Sequence, residues 1–436
     1  MNIFHRFKVF IHSTLQSEFV RNSIILFTGS TIAQAITILI SPILTRQYSP
    51  SDFGVWSLYV SVASLFSVIA TGRYELAIML PKEDKQAVNL LSLSVYISIG
   101  LSAIILIFAI FFHDWTARVL NNTELSGYLI FTPATILLTG LFNSFNNWLT
   151  RKKRFRPLST SRIAQSGFSA GTKIGMGFVG SGPLGLILGD LIGLAVSVVM
   201  LGRDVWMQLR QKLSWISKDE MIKQAKIHQD FPKINSLHAF VDIIQTSGTA
   251  FLISILFDSA TLGLFSFAVR ILRMPLYLIG TSISKVFYQK ATTTYQTGGD
   301  LYGLVQNMVL KLVWISIPFF IITVLFAPPI FSFVFGPEWR EAGVYTQLLS
   351  LWFFGNFIFS PVSDIPLLVN KQKSYLGLSL GYNISILVSL GICGILGYNA
   401  KVTFGFLSIV AIVWMSIIIS WLLKISKLKD KRAYEI

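Results

Sequence analysis

About twelve apolar segments of roughly 20 residues each, long enough to cross a bilayer, alternate with short polar loops in this chain. Most of the 36 Lys and Arg residues lie at the N-terminus and in every second loop. The opposite loops hold only Arg46, Arg118, Arg340 and Lys401. Because cytoplasmic loops retain Lys and Arg while translocated loops lose them, the pattern predicts an all-α, multi-pass inner-membrane protein with both termini in the cytoplasm.

The composition agrees with a membrane protein, since 53% of the residues are hydrophobic and only 13% are charged. The net charge of +16 could indicate nucleic-acid binding. The basic runs, however, adjoin apolar spans, as in Arg151–Arg154, which favours topology and anionic lipid as the explanation. The sequence has no P-loop or HExxH motif and only one cysteine, Cys393. We therefore expect no enzyme activity, no cofactor and no metal site.

The apolar segments divide into two groups of six on either side of the longest hydrophilic stretch. This division predicts an N-terminal half over 1–203, an amphipathic cytoplasmic connector over 204–232 and a C-terminal half over 233–436. Residues 1–20 and 204–230 both place apolar side chains on one helical face, which is typical of helices at a membrane surface. The predicted spans are 22–45, 53–73, 88–112, 127–150, 158–180, 183–203, 233–257, 261–284, 304–327, 342–369, 373–397 and 401–424.

The two halves contain a short repeat. The segment Tyr48–Ser57 aligns without gaps on Phe257–Ser266, and each copy leads from an outer turn into a helix through the pattern aromatic, five residues, Gly, apolar, aromatic, Ser. The offset is 209 residues, close to half the chain. Because each half has an even number of spans, the repeat predicts two parallel halves related by an axis along the membrane normal.

Four cations lie inside predicted spans, and two of them share one helix. Arg270 and Arg273 fall near the middle of span 261–284, where a charge costs about 2.5–3.5 kcal/mol. They need anions or water nearby, and the acids within or beside spans are Asp190, Asp242 and Asp364. One interpretation is a structural ion pair. We favour a cationic pocket for an anionic substrate, since the planar guanidinium donates two parallel hydrogen bonds to phosphate.

The other two cations are Lys173 and Lys311. Lys173 has two equally supported interpretations, as a further member of the cationic pocket or as an ion-pair partner of Asp190 on the next helix. Lys311 lies closer to the inner surface, where a lysine can extend its charged end to the headgroups.

Polar residues also form stripes on single helical faces, which lipid would disfavour. The stripe in the seventh span includes an acid and favours a hydrated cavity, whereas the stripe in the fourth fits either a cavity or hydrogen bonds between helices. The stripes are Thr132, Thr135, Thr139, Asn143, Asn146 and Thr150 in the fourth span and Asn235, His238, Asp242, Gln245 and Thr249 in the seventh.

The N-terminal residues resemble a known family. The segments Asn22-Ser23, Gly29–Gln34, Ser41–Arg46, Tyr48–Gly54 and Gly72–Pro81 resemble the Wzx-type flippases for lipopolysaccharide O-antigen or capsule repeat units. These proteins belong to the multidrug/oligosaccharidyl-lipid/polysaccharide exporter superfamily. The remainder of the chain agrees with them in helix number, parallel halves and charge placement.

The resemblance implies a cargo and a central cavity. The cargo is an oligosaccharide on undecaprenyl diphosphate, moved from the inner to the outer leaflet by alternating access. The cavity is lined mainly by spans one, two, seven and eight, which places Gln34, Arg46, Asp242, Arg270 and Arg273 on or near its wall. The implied partners are membrane lipid, a polysaccharide polymerase and chain-length proteins, with no nucleic acid.

The energy source and the competing functions stay open at this stage. H⁺, Na⁺ or the membrane potential could drive transport, with Asp242 as a coupling group or as the partner anion of Arg270. A drug/cation antiporter of the same superfamily is the main alternative, but it would favour acids and aromatic residues over arginines in its cavity. A glycan polymerase would need a sizeable outer loop, and the predicted outer loops are short.

Overall fold

The computed structural model describes residues 18–275 and 281–427, and every regular element in these ranges is helical. The predicted surface helix over 1–20 and the basic tail over 424–432 lie largely outside these residues. The longer helices are α1 Glu18–Gln47, α2 Pro50–Ser67, α3 Asp84–Val119, α4 Thr132–Arg151, α5 Phe155–Phe178, α6 Pro183–Leu209, α7 Lys218–Ile227, α8 Ser236–Leu256, α9 Ser259–Pro275, α10 Thr281–Gln296, α11 Leu301–Phe335, α12 Arg340–Phe359, α13 Gln372–Ile395 and α14 Ala400–Ser426.

The helices confirm the all-α multi-pass membrane fold. Within the described residues, nine helical segments are long and apolar enough to cross a membrane. The other three predicted spans correspond to α2, α5 and α9, which are also helices but are shorter or more polar. Helix α5 carries Arg156, Arg162 and Lys173, and α9 carries Arg270 and Arg273. Two of these three helices, α5 and α9, thus hold the cations that the sequence predicts to be functional.

The connector differs from the predicted single amphipathic helix over 204–230. Helix α6 extends to Leu209, and a new helix, α7, begins after Ser217, whose hydroxyl caps it by accepting a hydrogen bond from Glu220 N (3.2 Å). Val205 and Leu209 are buried in a cluster with Leu90 instead of facing lipid. The segment 204–230 is therefore two helices joined by a short link, and its first apolar residues pack against the protein core. Its role as a cytoplasmic connector stays a prediction.

The chain forms two compact units. The first contains the described residues up to Tyr48 together with Leu58–Ser247, and the second contains Ser49–Ser57 together with the described residues from Gly248 onward. Helix α2 therefore contributes its first two turns to the second unit and the remainder to the first.

Within the second unit, the two copies of the predicted repeat pack against each other reciprocally. A Cβ atom added to Gly54 would lie 1.8 Å from the carbonyl oxygen of Ser259, and one added to Gly263 would lie 1.8 Å from that of Pro50. The Ser57 and Ser266 hydroxyls share a hydrogen bond of 2.7 Å. Ser57 and Ser266 are equivalent at the 209-residue offset, and the two glycine contacts exchange under it, because Ser259 is the counterpart of Pro50 and Gly263 that of Gly54. Helices α2 and α9 therefore begin side by side and run in the same direction. Glycine is needed at both positions because only a missing Cβ permits this backbone approach.

Candidate functional site

Arg270 lies on α9 against an aromatic ring from the first copy of the repeat. Its guanidinium carbon is 4.5 Å from the centroid of the Trp56 ring, and Trp56 is buried. Arg270 is about 16 Å along the helix axis from Ser259, where α9 begins, which is a midspan depth. A cation over the face of a tryptophan is stabilised by about 0.5–2 kcal/mol. Trp56 therefore supports one face of the guanidinium.

Arg273 lies one turn further along α9 and has a different environment. It interacts electrostatically with the Tyr382 hydroxyl on α13. That hydroxyl accepts a hydrogen bond of 2.6 Å from Trp352 Nε1 on α12. Among the described residues, no acid lies within ion-pair distance of Arg273. The second unit thus holds a half-buried guanidinium whose neighbours are neutral.

Asp364 was predicted as a charge partner for the span cations. It is half-buried and immediately precedes the one-turn helix Ile365–Leu368, beyond the end of α12. Asp364 and Arg273 belong to the same unit and do not form an ion pair with each other. Its role as a charge partner stays a prediction.

The structure distinguishes between the two interpretations of Lys173. The Lys173 ammonium is 2.5 Å from Asp190 Oδ1, and the side chain of Lys173 is almost fully buried. The Ser169 hydroxyl donates a second hydrogen bond to the same carboxylate oxygen (3.3 Å). Asp190 therefore neutralises Lys173, as one of the two interpretations proposed. Direct contact between Lys173 and a substrate stays a prediction.

A polar cavity of about 210 Å³ adjoins this ion pair in the first unit. The Asp190 side chain is 41% exposed and forms part of its wall. The Tyr59 hydroxyl shares a hydrogen bond of 2.6 Å with Thr135. The polar stripe of the fourth span thus does both things that the sequence allowed, because Thr135 bonds to another helix while also lining a cavity. The other hydroxyls that line the cavity belong to Ser64, Ser67 and Thr139.

The remaining predicted residues lie in the first unit. Gln34 is half-buried on α1, Arg46 is exposed in the last turn of α1, and Asp242 is exposed on α8. The side chain of His238 lies outside the described part of the structure. The described residues contain no group of three or more His, Cys, Asp or Glu that could hold a metal ion.

Sequence reasoning missed the aromatic partners of the two arginines. Trp56 carried a usable signal, since it is part of the repeat whose second copy lies at the start of the Arg270 helix. Tyr382 and Trp352 carried none, because isolated aromatic residues are common in apolar spans and nothing in the sequence indicates which helices are neighbours.

Comparison with known proteins identifies the family. Residues 43–344 match the family described as "Polysaccharide biosynthesis protein". No curated protein matches the sequence significantly.

Solved structures with the same fold are membrane transporters. The inward closed conformation of the lipid II flippase MurJ matches with a TM-score of 0.67 at 16% identity, over 93% of this chain and 90% of that one. An inward-facing multidrug resistance MATE transporter of the MOP superfamily matches with a TM-score of 0.60 at 15% identity, over 91% and 96%. A MOP superfamily transporter from Pyrococcus furiosus, described as having a binding pocket of reverse polarity, matches with a TM-score of 0.56 at 15% identity, over 93% and 96%.

At these identities the structural likeness establishes the fold alone, which is that of MurJ and MATE transporters. The sequence match covers more than half of the chain and establishes membership. The chain belongs to the polysaccharide biosynthesis protein family, and its fold is that of MurJ and MATE transporters.

Proposed function

We propose that this protein is a flippase that moves undecaprenyl-diphosphate-linked oligosaccharide repeat units from the cytoplasmic to the outer leaflet of the bacterial inner membrane. The repeat units would serve O-antigen, capsule or exopolysaccharide synthesis. The observation that carries the proposal is Arg273, a half-buried cation in the last turn of α9 that forms no ion pair with any described acid. In a chain of the polysaccharide biosynthesis family, such a cation suits the diphosphate of a lipid-linked sugar.

The neighbouring groups have complementary roles in this proposal. Arg270 presents its N–H edge to the diphosphate while Trp56 supports its face. Guanidinium groups suit this task because they stay charged and are more weakly hydrated than ammonium groups. Hydroxyl groups such as those around Asp190 provide hydrogen bonds for sugars. Gln34 and Arg46 would contact the cargo as it passes.

The remaining parts of the proposal concern the energy source for transport and the location of the protein in the cell. Transport would proceed by alternating access, driven by H⁺, Na⁺ or the membrane potential, with Asp242 as the coupling group. The charge pattern supports a location in the inner membrane with both termini in the cytoplasm. A polysaccharide polymerase and chain-length proteins would act on the product.

A drug/cation antiporter is the second candidate, because the fold is shared with a MATE transporter. A cationic drug would be repelled by Arg273, which has no described carboxylate to neutralise it. A flippase for an anionic lipid head has the opposite requirement. If expression of the protein lowered susceptibility to cationic drugs without any effect on surface polysaccharide, the antiporter would be the better explanation.

The test locates the lipid-linked sugar in cells that lack the protein. Without the flippase, we expect the lipid-linked sugar to accumulate on the cytoplasmic leaflet, out of reach of an impermeant reagent added to spheroplasts. Accumulation of single repeat units on the outer leaflet would instead indicate a polymerase.

Complementation with variants then tests the site. Arg270→Ala and Arg273→Ala should abolish export, while Arg270→Lys should retain part of it because the charge remains. Arg210→Ala is a matched control, since Arg210 is exposed at the end of α6. Export by Arg270→Ala and Arg273→Ala equal to that of the wild type would refute the role of both arginines.

A further inference from the structure

A groove of about 600 Å³ lies between α10 and α11 in the second unit, apart from the site described above. Its walls are mainly apolar and include Phe287, which is buried, and Val286 and Ile315, which are 70% and 55% exposed. Exposed aliphatic side chains along a groove of a membrane protein suit contact with an acyl chain.

Two lysines and an amide interrupt this apolar lining. Lys290 lies on α10, and Lys311 lies on α11 four residues after Asn307, on the same helical face. Both lysines are exposed, and neither forms an ion pair with an acid in the described parts of the chain. The groove therefore carries two positive charges with no described protein counter-charge.

The depth of Lys311 makes a counter-ion important. Lys311 lies about 15 Å along the axis from Leu301, the first residue of α11. Near that helix start, Lys427 stacks over the Tyr302 ring at 4.3 Å, which is a pairing typical of the membrane–water interface. Lys311 is thus inside the level of this pair, at a depth from which a lysine can extend its charged end toward the headgroups. A charge inside the hydrocarbon is costly, and an anion in the groove would lower that cost.

We propose that this groove binds an anionic phospholipid of the cytoplasmic leaflet. The phosphate would lie between Lys290 and Lys311 and accept a hydrogen bond from the Asn307 amide, while an acyl chain would follow Val286, Phe287 and Ile315. Charge complementarity selects an anionic headgroup over a zwitterionic one. The predicted topology places this end of α11 at the cytoplasmic side, where basic pockets between helices bind anionic headgroups. The proposal is independent of the transported cargo.

The test measures lipid retained by the purified full-length protein. The protein is reconstituted in nanodiscs of mixed phosphatidylglycerol and phosphatidylcholine, released gently, and analysed by native mass spectrometry. Wild type should retain phosphatidylglycerol in preference to phosphatidylcholine. In Lys290→Gln/Lys311→Gln the affinity for phosphatidylglycerol should fall about 30-fold, since each lysine near a membrane surface contributes about fivefold.

The matched control is Lys223→Gln/Lys226→Gln, which removes the same two charges from exposed positions on α7. It should retain phosphatidylglycerol like the wild type. Lys311→Arg keeps the charge and should also retain it, which guards against a loss of lipid through misfolding.

Three results would overturn the proposal. The first is equal retention of phosphatidylglycerol and phosphatidylcholine by the wild type. The second is an equal loss of phosphatidylglycerol in the control and in the groove variant. The third is displacement of phosphatidylglycerol by stoichiometric undecaprenyl diphosphate, which would assign the groove to the cargo lipid.

Discussion

The reciprocal packing of Gly54 and Gly263 predicts that replacing glycine by alanine lowers stability at these two positions but not at an unconstrained glycine. An alanine Cβ at either glycine would lie 1.8 Å from a backbone carbonyl oxygen, whereas real Cβ contacts are essentially never under 3.0 Å. The backbones must therefore separate by more than about 1 Å, and overpacking of this kind costs about 1–3 kcal/mol. The carbonyl belongs to the backbone, so no side chain can rotate away to relieve the contact.

Gly391 provides the matched control. It lies inside α13, and a Cβ there meets no atom within 4 Å. Alanine is a better helix former than glycine by about 0.8–1 kcal/mol, so Gly391→Ala should be neutral or stabilising. We thus expect Gly54→Ala and Gly263→Ala to unfold at lower temperature than the wild type, and Gly391→Ala to unfold at the same or a higher temperature.

The chain contains its own reporter for this measurement. Its one cysteine, Cys393, is buried with 4% exposure and reacts with a thiol-specific fluorophore only when the protein opens. Fluorescence against temperature in detergent gives the unfolding midpoint of each variant. If Gly54→Ala and Gly263→Ala showed the same midpoint as Gly391→Ala, the close approach of α2 and α9 would be absent from the folded protein.

Three further predictions use the same thiol-labelling assay. Lys173→Met should lower the unfolding midpoint because it removes the ammonium that neutralises the Asp190 carboxylate. Lys173→Met combined with Asp190→Leu should recover part of the loss. A double variant less stable than both single variants would contradict the ion pair. Trp56→Leu should destabilise by about 0.5–2 kcal/mol more in the presence of Arg270 than in an Arg270→Met background, and an equal effect in both backgrounds would show that the cation–π contact contributes nothing. Ser217→Ala should destabilise α7 by about 0.5–2 kcal/mol through loss of the N-cap, whereas Ser217→Asp should not, and equal midpoints for the two would argue against capping.

The sequence by itself determined the membrane class and the positions of most helices. The reason is that hydrocarbon offers no hydrogen bonds, so each span must be a helix with mainly apolar side chains, which is visible in the sequence as a long apolar segment. The repeat was also readable, and the pairing of Ser57 with Ser266 at its 209-residue offset shows that the alignment reflects structure. The placement of Arg270 and Arg273 within one helix was visible for the same reason, since charged residues are rare in apolar spans.

Only the tertiary structure decided which groups meet. Lys173 had two equally supported partners, and packing of α5 beside α6 brought it to Asp190. Trp56 meets Arg270 because the two copies of the repeat lie side by side. Val205 and Leu209, at the start of the connector, pack against protein instead of lipid, although either environment fits their sequence. Hydropathy records how well each residue tolerates lipid, but it contains no information about which helix lies next to which.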